Sequence, residues 1–220
     1  MDTGNYKAIV DEIKPYGARL VAISKTKPIE VVLEMYNQGQ RIFGENRVQE
    51  LLPKYNSLPQ DIEWHLVGHL QSNKIKQIAP FISMIESVDS VMLLEEINKQ
   101  AQRSDRVINC LLQIFIAEEK TKFGLSENEL NSLLESKIFT DLKHIRICGL
   151  MGMATNTPDQ QKIENEFKHL HQLFARIKKD YFADKPYFKE LSIGMSSDYK
   201  IALNCGATLI RLGSLIFGER

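Results

Sequence analysis

Short apolar runs alternate with longer amphipathic stretches along this chain, and no other feature limits its possible folds as much. Runs that read as strands lie near Leu20–Ser24, Arg41–Gly44, Trp64–Gly68, Met84–Val88, Asn109–Phe115, Ile145–Leu150, Phe188–Ile193 and Leu209–Leu212. Helical stretches fall between them at Pro28–Asn37, Val91–Gln102, Asn128–Leu134 and Asp159–Lys178. The last carries Ile163, Phe167, Leu170 and Phe174 at helical spacing. A further helix over Asn5–Lys14 precedes the first strand. Parallel strands joined by helical crossovers produce this rhythm. Eight such units in 220 residues predict an α/β fold, a single (β/α)8 TIM-type barrel with an extra N-terminal helix, spanning residues 1–220 as one domain. An open doubly wound sheet shares the periodicity and stays as the alternative.

Charge excludes some partners. The 28 basic and 28 acidic side chains cancel, so no global field favours nucleic acid or an anionic membrane. The N-terminal MDTGNYKAIVDEIK has no basic segment followed by an apolar one, and no run approaches bilayer length, so a cytoplasmic protein without a membrane partner is expected. Cys110, Cys148 and Cys205 sit in separate apolar runs and read as core thiols. His65 and His69 have a helical ligand spacing but lie on a strand-like segment that would separate the rings, and no metal is expected.

In a barrel, chemically useful residues cluster just after the strands. Here Lys25 follows the first strand, Glu45 and Asn46 the second, His69 to Asn73 the third, Glu119 and Lys122 the fifth, Met151 and Met153 the sixth, Ser196 the seventh, and Gly213 with Ser214 the eighth. A lysine at a strand end can lose solvation, shed its proton and attack a carbonyl. The last two loops suit a phosphate: Gly194 ends a strand, Ser196 or Ser197 can cap the next helix, and Gly213 admits an oxyanion close to the backbone beside the Ser214 hydroxyl. Together these residues predict one pocket for a phosphorylated carbonyl compound.

The blocks SKTKP (Ser24 to Pro28), FGENRVQE (Phe43 to Glu50), WHLVGHLQSNK (Trp64 to Lys74), GLMGMAT (Gly149 to Thr155), LSIGMSSD (Leu191 to Asp198) and RLGSLIFGER (Arg211 to Arg220) resemble the signature segments of the pyridoxal-phosphate homeostasis proteins. These are short relatives of the alanine racemase barrel, and the resemblance runs in order over nearly the whole chain. It implies that pyridoxal 5'-phosphate (PLP) is held as a reversible internal aldimine on Lys25, with Lys27 solvated near the following helix. It further implies Arg211 at the pyridine nitrogen, Asn46 near the ring, and Ser196, Gly213 and Ser214 on the phosphate. Ser214 stands where a threonine is common, and the hydroxyl is kept. Glu119 and Lys122 match a loop position but gain no role, and a solvated charge run is the plainer reading of AEEKTK.

The implied function is cofactor binding in cellular vitamin B6 homeostasis rather than catalysis, by a monomer that can supply apo PLP-dependent enzymes. A guanidinium only donates, which leaves the ring nitrogen unprotonated and the ring a weak electron sink. Racemisation also needs an acid opposite the lysine, and none of the tyrosines, Tyr36, Tyr55, Tyr187 and Tyr199 among them, follows a predicted strand. The alternatives are a small PLP-dependent racemase or isomerase, which enantiomer turnover would expose, and a cofactor-free Schiff-base aldolase, which would be colourless.

Overall fold

Eight parallel strands close into a barrel in chain order: β1 (Arg19–Ile23), β2 (Ile42–Glu45), β3 (Glu63–Leu66), β4 (Met84–Val88), β5 (Ile108–Ile114), β6 (Ile145–Gly152), β7 (Glu190–Ser192) and β8 (Leu209–Leu212). The computed structural model describes residues 3–118 and 123–218, so the expected positions Glu119 and Lys122 lie outside the described residues. The open-sheet alternative is thereby overturned, because β1 pairs with β8 through four register positions, from Arg19↔Leu209 to Ala22↔Leu212.

The two-residue period of each strand sorts its side chains between two cores. Val21 and Ile23, Ile42, Met84, Leu111, Cys148 with Met151, and Leu209 point inward and form a small cluster inside the barrel. Their neighbours Ala22, Phe43, Trp64, Ile85, Leu112, Leu150 and Ile210 point outward into the larger core under the helices. Both faces are covered, which explains why the strands read as near-continuous apolar runs. Trp64, Phe43, Phe167 and Phe188 are among the largest fully buried side chains, each stabilising the fold by about 1.5–3 kcal/mol.

The helices are α1 (Thr3–Ile13), α2 (Ile29–Asn37), α3 (Val48–Ser57), α4 (Ile75–Ile78), α5 (Val91–Arg103), α6 (Glu127–Leu134), α7 (Lys137–Asp141), α8 (Gln160–Tyr181), α9 (Tyr199–Asn204) and α10 (Ser214–Phe217). The apolar stripe of α8 buries Ile163, Phe167 and Leu170, while Phe174 is partly buried against the core. The side chain of Ser126 caps α6 in a reciprocal capping box with Glu129, which satisfies two otherwise orphaned amides. Pairing between β5 and β6 shifts register between Cys110 and Leu111. The shift depends on Gly149, whose φ is +153° and whose added Cβ would lie 1.7 Å from the Glu190 carbonyl oxygen.

Several boundaries move. Glu45 is the last residue of β2 rather than the start of its loop, Met151 lies within β6, and β3 stops at Leu66 instead of Gly68. Strand β7 is shorter than the run from Phe188 predicts, because Phe188 turns into the outer core and its amide bonds to the Lys185 carbonyl rather than to a strand. Cys110, Cys148 and Cys205 are buried free thiols, as the apolar context predicts. Burial drives the Cys148 thiol to about 11.

Candidate functional site

A cavity of about 480 Å3 opens at the C-terminal ends of the strands, and Lys25, Asn46, Ser196, Arg211, Gly213 and Ser214 all line it. The alternation that buries Val21 and Ile23 inside the barrel carries Lys25 inward above them, while Ser24 turns outward. The Ser24 amide donates to the Gly44 carbonyl (3.0 Å), extending the β1 to β2 ladder by one residue. The chain then folds into a tight turn. The Lys27 amide donates to the Ser24 carbonyl (3.0 Å), and Thr26 takes a left-handed φ of +63°. Such a conformation in a β-branched residue stores strain of about 1–3 kcal/mol, and strain of this kind gathers at functional sites. Lys25 is half-buried in this turn, with no hydrogen bond or ion pair from its amine to another described residue.

Lys27 corrects the expectation of a solvated side chain. Its Nζ donates to the carbonyls of Phe217 (3.3 Å) and Gly218 (3.1 Å), so it covers the carbonyl end of α10 and ties the first strand's turn to the last helix. The favourable meeting of a cation with the negative end of a helix explains the placement.

The seventh loop is also built differently from the sequence expectation. Neither Ser196 nor Ser197 caps a helix: α9 begins after Asp198, whose carboxylate accepts the Met195 amide at 2.6 Å. This carboxylate braces a turn that presents both serines to the cavity. Gly194 permits the approach, since its φ is +92° and a Cβ there would meet the Ala202 Cβ at 2.6 Å. At the end of the neighbouring strand β8, Gly213 packs on β1, where a Cβ would come within 3.3 Å of the Ile23 carbonyl oxygen. The amides of Ser214 and Leu215 begin α10 and have no intrahelical acceptor.

Arg211 forms the buried wall. Nη1 donates to the Ser192 carbonyl (2.8 Å) and hydroxyl (2.6 Å), and Nη2 donates to the Gly152 carbonyl (2.9 Å). Three of the five guanidinium N–H groups are thus used, and two remain on a side chain that lines the cavity. Burial lowers the Arg211 pKa, opposed by the charges of Glu86 and Asp198. Beneath it lies a polar layer that the sequence reading missed. Glu86 accepts the Ser192 hydroxyl at 2.5 Å and lies 2.6 Å from His65 Nδ1 and 3.9 Å from Arg211. Burial works to raise the Glu86 pKa, but the hydrogen bond and charge of His65, then Arg211 and Ser192, outweigh it and hold the carboxyl below its usual range. The signal was present: His65, Glu86 and Ser192 occupy inward positions of strands, where an apolar residue is the default.

Other strand-end residues do not join the site. Glu45 points outward under α3, where burial raises its pKa against the pull of Lys54 and Ser24. Met153 lines the cavity but Met151 is buried in the barrel interior. His69 lies outside the cavity, 3.0 Å from Asp89 and stacked on Phe123 with centroids 4.2 Å apart. The rings of His65 and His69 are therefore apart, and no metal-holding group of three His, Cys, Asp or Glu occurs among the described residues. No tyrosine lines the cavity among those residues either.

A closed barrel with a strand-end lysine, a buried arginine and a glycine and serine turn lining one cavity has the architecture of an alanine racemase-type barrel. The chain belongs to the family described as "Alanine racemase, N-terminal domain", which it matches over residues 3–220, and within it to the pyridoxal phosphate homeostasis proteins. It is 37% identical to the pyridoxal phosphate homeostasis protein of Aquifex aeolicus over 204 residues, covering 92% of this chain and 87% of the relative. It is 40% identical to the human protein of the same description, covering 92% and 76%. Among solved structures, PipY of Synechococcus elongatus PCC7942 with PLP bound superposes with a TM-score of 0.88 at 32% identity, covering 98% of this chain and 99% of that one.

Proposed function

We propose that this chain is a PLP-binding protein of vitamin B6 homeostasis, a single-domain monomer of the cytoplasm that holds the cofactor on Lys25 and yields it to apo-enzymes. The observation that carries this reading is the meeting of Lys25, Arg211 and the Gly213 and Ser214 segment in one cavity. The residues fit the group: an inward amine, two unused guanidinium donors and orphan amides with a hydroxyl line one space of about 480 Å3. When bound, PLP supplies an aldehyde that exchanges its C=O for a C=N bond to an amine, releasing water. Lys25 provides that amine. Ser196, Ser214 and the first amides of α10 bind the phosphate. Asn46, which lines the same cavity, would orient the ring. Arg211 would turn its remaining donors toward the ring nitrogen, and a group that only donates would leave this nitrogen without a proton.

Two features support holding over turnover. A donor-only partner at the ring nitrogen weakens the electron withdrawal that carbanion chemistry requires. The described lining residues include no tyrosine to act as an acid opposite Lys25. The relatives, moreover, are named for homeostasis. No helix among the described residues is long and apolar enough to cross a membrane. Borohydride reduction of the PLP-loaded protein, followed by peptide mass mapping, tests the assignment. A pyridoxyl adduct on the Lys25 peptide, lost in Lys25→Ala, is expected. An adduct on another lysine, or none, refutes it.

A further inference from the structure

On the helix side of the barrel wall, behind Lys25, lies a second polar cluster that does not reach the cavity. Lys54 of α3 is only 5% exposed. Its Nζ donates to the Ser24 carbonyl (2.7 Å) and to Glu45 Oε1. The same Glu45 oxygen accepts the Ser24 hydroxyl at 2.7 Å, while Oε2 is buried without a hydrogen-bond partner. One turn earlier on α3, Glu50 Oε2 accepts the amide of the left-handed Thr26 at 2.7 Å. Both residues that flank Lys25 are thus gripped from α3 and β2, by side chains on the far side of the wall from the amine.

Stability alone does not account for this arrangement. Lysines are almost never fully buried unless paired. A buried ion pair pays a desolvation penalty that well-packed apolar residues avoid, and replacing both partners by apolar side chains is often neutral or stabilising. Here one carboxylate oxygen remains unsatisfied as well. What the cluster does secure is geometry: it pins the carbonyl before Lys25 and the amide after it, leaving the amine only its own side-chain torsions. We propose that Glu45, Lys54 and Glu50 are positioning residues that hold the Lys25 turn, in its strained form, so that the amine enters the cavity already aimed at the aldehyde. This rests on the reading that Lys25 captures PLP.

Two variants test it. Glu45→Met/Lys54→Met removes both buried charges together, and Glu50→Ala releases the Thr26 amide. Both should keep the wild-type urea midpoint. Without any ligand, deuterium exchange at the Thr26 amide should speed up about tenfold. On adding PLP, the rate at which the Lys25 peptide becomes reducible by borohydride should fall roughly 10- to 100-fold, as expected for a misplaced reacting group. Glu50→Gln, which keeps an acceptor oxygen, should restore most of that rate. Wild-type exchange at Thr26 together with wild-type capture in both variants would overturn the proposal. If the double variant does not fold, Glu50→Ala decides alone. If the unaltered protein forms no Lys25 adduct, the cofactor reading fails, and exchange at Thr26 still reports whether the clamp exists.

Discussion

Replacing Glu86 with glutamine probes the polar layer beneath Arg211 with little change in shape. The carboxylate is fully buried and stands 3.9 Å from the Arg211 guanidinium. Coulomb's law at an effective dielectric of about 20 gives roughly 4 kcal/mol for unit charges at that separation. Removing one member of a buried charged pair independently costs about 3–5 kcal/mol, because the other charge is left uncompensated. The two routes agree, so Glu86→Gln should lower unfolding stability by about 4 kcal/mol in urea titrations followed by circular dichroism. Arg211→Gln should also destabilise. The double variant should lose less than the sum of the two, since neither charge then remains buried alone. A loss below about 1 kcal/mol for Glu86→Gln, or strict additivity, would refute the claim that Glu86 compensates Arg211.

Acid should act through the same carboxylate. Its folded pKa lies below the unfolded value, so it contributes stability above about pH 4.3 that is lost as the pH falls through the folded value; acid titration of Glu86→Gln should lack this component. Gly194→Ala should cost about 2–4 kcal/mol, combining a left-handed φ with overlap against Ala202, and should weaken PLP retention because the Ser196 turn shifts. Unchanged stability in urea would exclude that strain. Ser214→Ala should weaken PLP binding by about 1–2 kcal/mol, roughly 5- to 30-fold, since the amides of α10 remain; complete loss in a fluorescence titration would show that other donors hold the phosphate.

The barrel was legible because each strand alternates between two apolar cores, so even a coarse reading finds eight of them. That the candidate residues share one cavity was legible for a related reason: Lys25, Asn46 and Gly213 fall where that alternation carries the chain inward beyond the last ladder bonds. Side chains that act across elements were harder. Pro53 breaks the pattern of α3, although the helix continues through it, and nothing local to Lys54 or Glu50 reveals that they reach the turn after β1. The role of Lys27 depends on the far end of the chain, where the carbonyls of α10 arrive. The capping expected of Ser196 or Ser197 failed because Asp198 takes the boundary position.

The cavity lies where the ring closes. Lys25 and Lys27 come from the first strand's turn, Arg211, Gly213 and Ser214 from the last strand and helix, and Asn5 of α1 donates to the Leu215 carbonyl across the same joint. A nascent chain released only as far as Asn204 would hold Lys25 yet lack Arg211, Gly213 and Ser214, which line the same cavity. The cavity is therefore completed only when the last strand and helix dock against the first, which makes it one of the latest features of the molecule to form during synthesis.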